Sequence, residues 1–416
     1  MAPSKPGFSS DPAKTGFVRE HVRSGTEIWD GLRGIAILLV LLYHTWLFSW
    51  YTPEFAPFGY ALDIAGPVRT GYLGVEIFFV ISGFVLFFPY AERAATGGPP
   101  PSLAEFARRR FLKIAPSYAI ALVATVFSAR ALLGEHTSLV ASIANHVAFV
   151  QNFYNDQLGG ANSVFWSLAI EVQFYLFFPL IAWAFVRRPA IVAGAMIVTA
   201  IAYRFGVERC CLQIETVTRQ LPAFLDLFAC GMLAALALVR LRTGVPNLTR
   251  YKLAFTLLAL VLVVAACAMF WSADEQSYVP GGRERWVATH RTLLGIGIAV
   301  FGVASSLGAA WWRRVVANPV LVFLSIVSYN LYLWHTLVLI WMWKHGVPPA
   351  ATPNPHDDPH WKAAYIASGW FACVAIASAI TYFIERPLLG SVRGQPFSFD
   401  WHVRRVPPTA PSETRT

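Results

Sequence analysis

Apolar residues in this chain come in long, nearly unbroken runs, not in the short alternations of a water-soluble fold. Ten runs approach the roughly 20 residues that an α-helix needs to cross a bilayer: 31–51, 72–90, 112–133, 164–186, 189–206, 221–241, 252–271, 290–311, 319–343 and 362–384. A further stretch, 139–153, is apolar but too short and interrupted, and reads as a re-entrant or interfacial piece. Residues 1–28 are polar and lack the apolar core of a cleavable signal peptide, so the first run is expected to start insertion uncleaved. The pattern predicts an all-α integral membrane protein of about ten transmembrane helices.

Composition agrees. Of 416 residues, 56% are hydrophobic and 13% charged, against about 25% charged in a soluble domain. The net charge of +10 is carried in short clusters between the runs, not in one basic stripe, which argues against a nucleic-acid partner. With the N-terminus inside, the clusters Arg108, Arg109, Arg110 and Lys113; Arg187 and Arg188; Arg240, Arg242, Arg250 and Lys252; and Arg313 and Arg314 all fall on the inner side. That bias predicts both termini in the cytoplasm. The tail 391–416, with Pro407, Pro408, Pro411 and Ser412, reads as disordered. The cysteines, Cys210, Cys211, Cys230, Cys267 and Cys373, show no CxxC or metal-ligand spacing, so no metal is expected.

Ionisable side chains inside a span are costly and are functional candidates by default. At 1.5 Å of rise per residue, His44 and His335 lie roughly 20 and 24 Å above the inner ends of their runs. Glu76, Glu171 and Asp226 lie roughly 6–10 Å below the outer ends of theirs. All five are expected in one polar layer of the outer half. On the inner side, Arg33 and the Arg108–Lys113 cluster serve either as anchors or as a phosphate site, since guanidinium groups bind phosphate bidentately.

Arg33 and His44 are 11 residues apart. At about 100° per residue they share a helix face, with about 16 Å between them along the axis. That face suits an extended ligand, charged at one end and reactive at the other. Ser325, Ser328, Tyr332 and His335 form a second stripe, which either lines a cavity or holds helices together.

These blocks resemble the membrane-bound acyltransferase family 3, bacterial O-acyltransferases that modify surface polysaccharides, lipids and some antibiotics. GLRGIAILLVLLYH (Gly31 to His44) is similar to the family's Arg-x10-His signature. GVEIFFVISGFVL, RRRFLKIAPSY, FWSLAIEVQFYLFFPL, SYNLYLWH and IERPL follow in the family's order. Two departures stand out: the second position of the family's RxxR is Lys113, and Val172 follows Glu171 where a second Glu is common. The resemblance covers residues 29–390 as one domain and is to the stand-alone form, without a fused esterase-like domain.

The resemblance implies a multi-pass protein of the bacterial inner membrane that takes an acyl group, acetyl foremost, from cytoplasmic acyl-CoA. The acceptor would be a hydroxyl on a carbohydrate, lipid-linked or small molecule. Arg33, Arg109, Arg110 and Lys113 would hold the donor phosphates. His44 would act as general base or transient acyl carrier, oriented by Glu76 or Glu171, with His335 as a second acid–base candidate. Trp166, Tyr332 and Asp226 are the acceptor-side candidates. Two rival readings remain: acyl transfer to a small molecule such as an antibiotic on the cytoplasmic side, and a transporter or flippase with an intramembrane polar site.

Overall fold

The computed structural model describes residues 25–52, 64–97, 101–133, 139–154, 162–210 and 218–393. In hydrocarbon every backbone N–H and C=O must be satisfied within its own element. Ten helices long and apolar enough to cross a membrane meet that demand: α1 (Glu27–Ser49), α2 (Gly74–Thr96), α3 (Leu103–Leu133), α4 (Phe165–Arg187), α5 (Pro189–Cys210), α6 (Leu225–Gly244), α7 (Lys252–Ser277), α8 (Gly282–Leu307), α9 (Pro319–Lys344) and α10 (Pro359–Ile380). The described residues contain no strand.

Several helices outrun their apolar runs. α3 begins at Leu103, so the Arg108–Arg110 cluster lies within the helix and not in its approach. α8 begins at Gly282, ahead of the apolar run. Charged side chains extend a helix past the hydrocarbon by reaching for the interface, and hydropathy alone misses them. The segment expected to be re-entrant or interfacial contains a helix, Leu139–Val147, too short to cross, followed by a 3-10 turn, Gln151–Phe153. Most of the two expected tails lies outside the described residues.

The core has two main seams, α1 against α9 and α2 against α6. At the second, a Cβ on Gly83 would meet the Phe228 carbonyl oxygen at 2.2 Å, and one on Gly231 would meet that of Val80 at 2.0 Å. Only glycine permits this approach, the usual device for packing helices where no hydrophobic effect drives them together. Phe174 of α4 stacks on Phe228 at 3.8 Å and ties a third helix to the seam. α7 stands at the rim and turns Leu253, Leu257, Val261 and Val264 outward.

Helix starts fix the two elements nearest the histidines. Asn318 caps α9 by accepting from the backbone N–H groups of Val320 and Leu321, with Pro319 in the first turn. Asp358 caps α10 in the same way through His360 and Trp361. α10 runs into a π-helical turn, Thr381–Glu385, and then a short helix, Arg386–Arg393.

Candidate functional site

α1 and α9 bring two histidines of the sequence analysis into contact. His335 Nδ1 lies 3.0 Å from the Leu331 carbonyl oxygen and 2.9 Å from that of Tyr332. Carbonyl oxygens only accept, so Nδ1 carries the hydrogen and, in the neutral ring, Nε2 carries the lone pair. That lone pair faces His44 Nδ1 at 3.2 Å. His44 Nδ1 is also 2.9 Å from the Val40 carbonyl oxygen, so it too must donate. The network therefore assigns the lone pair of His44 to Nε2, which has no hydrogen-bond partner among the described residues. The His335 ring lies nearly edge-on to that of His44, with centroids 4.7 Å apart.

A cavity of about 340 Å³ opens below this pair, lined at its inner end by Arg33, Arg109, Arg110 and Lys113. Ligand sites commonly have volumes of about 300–1,000 Å³. Its other walls include Ser82, Glu171, Tyr175, Ser325, Ser328 and Tyr332. The α9 stripe therefore lines a cavity at three of its four positions. His335 lies one helical turn beyond the fourth lining residue, Tyr332, whose hydroxyl pairs with Ser167 Oγ at 2.6 Å. His44 is not a wall residue.

The four cations at the mouth differ. Arg109 pairs with Glu105 and Lys113 with Glu385. Arg33 and Arg110 make no ion pair among the described residues. The Arg110 guanidinium lies 5.4 Å from the Tyr175 ring centroid and 5.8 Å from that of Phe106, and its buried Nε has no hydrogen-bond partner.

The family follows from these blocks taken together. The sequence profile described as "Acyltransferase domain", acyltransferase family 3, matches residues 27–384. This chain belongs to that family. It is 26% identical over 404 residues to "Peptidoglycan O-acetyltransferase OatA" of Listeria monocytogenes, covering 90% of this chain and 57% of that one. It is 26% identical over 343 residues to "Putative O-acetyltransferase SACOL0978" of Staphylococcus aureus, covering 76% and 51%. It is 25% identical over 383 residues to "Putative peptidoglycan O-acetyltransferase YrhL" of Bacillus subtilis, covering 86% and 54%. The chain thus spans about half the length of the curated relatives it matches. No solved structure matches.

The acyltransferase fold distributes the remaining candidates differently from the single layer expected. Glu171 accepts from Ser82 Oγ at 2.7 Å and from the Tyr175 hydroxyl. Ser82 is six residues below Glu76 on α2, or about 9 Å, so Glu171 belongs to the cavity and sits well below Glu76. Glu76 is held by Arg291 through Nε and Nη2, both at 3.0 Å. Asp226 is fully buried and accepts from Arg204 at 2.9 Å and from Thr292 at 2.6 Å. Neither glutamate is hydrogen-bonded to His44; the ring is oriented by Val40 and His335 instead. Trp166 packs on Phe224, ring centroids 5.6 Å apart, and carries the Arg219 guanidinium over its face at 5.4 Å.

Arg204 and Arg291 were overlooked in the sequence. Both are intramembrane ionisable groups, and the rule that singled out Glu76 and Asp226 applies equally to them. Glu385 was quoted in the IERPL block without a role.

Proposed function

We propose that this member of the acyltransferase 3 family transfers an acyl group, acetyl foremost, from cytoplasmic acyl-CoA to a hydroxyl of a cell-envelope carbohydrate or glycolipid. Its place is the bacterial inner membrane, with both termini in the cytoplasm. The observation that supports this most is the cavity, basic at one end and reaching to within one helical turn of the histidine pair at the other. Two relatives carry peptidoglycan in their names, which favours a glycan acceptor.

In this reading Arg33 and Arg110 grip the donor phosphates, and the extended arm runs along the α1 face. The thioester passes Phe78 and Tyr332 to the level of His44. His44 Nε2 removes the proton of the acceptor hydroxyl as its oxygen attacks the thioester carbonyl carbon. The C–S bond breaks, and the proton passes from His44 to the departing CoA thiolate. His335 Nε2 accepts the His44 Nδ1 hydrogen, so it fixes the tautomer and stabilises the ring while it carries two protons, the part a carboxylate plays in a triad. Trp166 borders the acceptor side. Glu76 and Asp226 support the helices that frame it.

The test is acetyl-CoA-dependent release of CoA thiol, together with O-acetylation of envelope glycan, in membranes carrying wild-type protein or His44→Ala at matched expression. Loss of both signals in the variant supports the reading; wild-type rates in the variant would overturn it. A transporter would release no thiol.

A further inference from the structure

The donor mouth contains a carboxylate that an anion-binding site has no evident use for. Glu385 ends the π-helical turn after α10, and its side chain is 4% exposed. One carboxylate oxygen accepts from Lys113 Nζ, and the other accepts from Asn330 Nδ2 at 2.9 Å. Asn330 also donates to Thr381 Oγ1 at 2.8 Å, at the start of the same turn. The carboxylate is thus held on both sides, by α3 and by α9. The Lys113 side chain is 35% exposed and lines the cavity, with its ammonium 5.3 Å from the Tyr329 ring centroid.

A purely architectural pair is sealed at both ends, as Arg204 and Asp226 are, with exposures of 1% and 0%. Lys113 and Glu385 differ. The anion is sealed in protein, while the cation reaches the space where a phosphate would lie.

We propose that Glu385 is a positioning residue that sets the anion affinity of the donor mouth by neutralising Lys113, so that Arg33 and Arg110 grip the donor and spent CoA can leave. The inference rests on the acyl-CoA reading above. Its physical reason is that acyl-CoA and CoA carry the same phosphates. Any cation that grips the donor grips the product equally, and such uniform binding does not speed the chemical step. A built-in counter-charge keeps Lys113 available for steering while limiting that grip. The π-helical turn supplies the geometry: it sets Glu385 between Lys113 and Asn330 and leads into the short helix whose Leu389 borders the cavity.

The experiment measures CoA binding to full-length protein in lipid nanodiscs by calorimetry, for the wild type, Glu385→Gln, Lys113→Met and the double variant. Glutamine keeps the shape and the acceptor for Asn330 and removes only the charge. Glu385→Gln is expected to bind CoA about tenfold more tightly, because one uncompensated positive charge then faces the phosphates. The gain should shrink at high salt. In turnover, the same variant should show a lower KM for acetyl-CoA and a lower kcat, since product release slows. Lys113→Met should bind CoA more weakly than the wild type, because Glu385 is left unpaired, and the double variant should return close to wild-type affinity. This last comparison serves if Glu385→Gln alone does not fold.

Unchanged or weaker CoA binding by folded Glu385→Gln overturns the proposal, as does a double variant no better than Lys113→Met. A merely architectural pair would lose kcat or folded protein without any gain in CoA affinity. Wild-type protein that binds no CoA would overturn the donor reading itself, and this proposal with it.

Discussion

His44 Nδ1 donates to His335 Nε2 across 3.2 Å, from α1 to α9, and this bond leaves the lone pair of His44 on the opposite nitrogen. Two imidazoles in series thus do what is often done by an imidazole and a carboxylate. His44→Ala is expected to lower kcat by about 10²–10⁴, the usual worth of a general base. His335→Ala removes only the partner and should cost less, about tenfold, with the donor KM unchanged. Steady-state thiol release checks both; equal losses would mean that the two rings share one role.

Arg33→Ala should raise the KM for acyl-CoA by about 10–100-fold, from the loss of charged hydrogen bonds worth about 1.5–3 kcal/mol, and leave the acceptor KM alone. Arg110→Lys should act in the same direction, because an ammonium reproduces neither the fork nor the stacking between Phe106 and Tyr175. Initial rates with either substrate varied separate the two outcomes. A shift confined to the acceptor would misplace the donor.

Asp226→Ala strands the fully buried Arg204 guanidinium and should destabilise the protein by about 3–5 kcal/mol. Replacing both partners by apolar residues, Arg204→Met with Asp226→Leu, should restore most of that loss. Thermal unfolding in detergent measures it. If Asp226 instead contacts the acceptor, the double variant will regain stability and still show a raised acceptor KM.

Gly83→Ala pushes a methyl group to 2.2 Å from the Phe228 carbonyl oxygen. The α2–α6 seam has no flexible side chain there to yield, so a loss of about 1–3 kcal/mol is expected. Gly297→Ala on α8 meets nothing within 4 Å and should be silent in the same unfolding measurement.

Much of this was legible beforehand because a bilayer imposes a simple rule. Each span is a run of apolar residues, and each exception to the rule is visible. That logic found the ten helices, the histidines and the basic mouth. It did not separate the roles of the carboxylates, because depth along one helix says nothing about which neighbour lies across from it. Glu76 and Asp226 found arginines, while Glu171 found Ser82 and Tyr175 in the cavity wall. Partner choice depends on helix rotation and on seams such as Gly83–Gly231, which appear only once helices are packed. Arg204 and Arg291 needed no structure at all, since an arginine in an apolar run is as informative as a glutamate there.

The wide turn at Thr381–Glu385 also fixes an angular phase. A π-helical turn accommodates about one residue more than an α-helical turn would. Deleting a single residue within it would leave α10 intact above and rotate everything below by about 100°. Leu389 would then leave the cavity wall and Glu385 would lose register with Lys113, without one apolar contact of the transmembrane bundle being cut. The donor mouth is therefore keyed to the parity of residues in one turn, and a one-residue change in length there acts as a rotary displacement of the short helix below it.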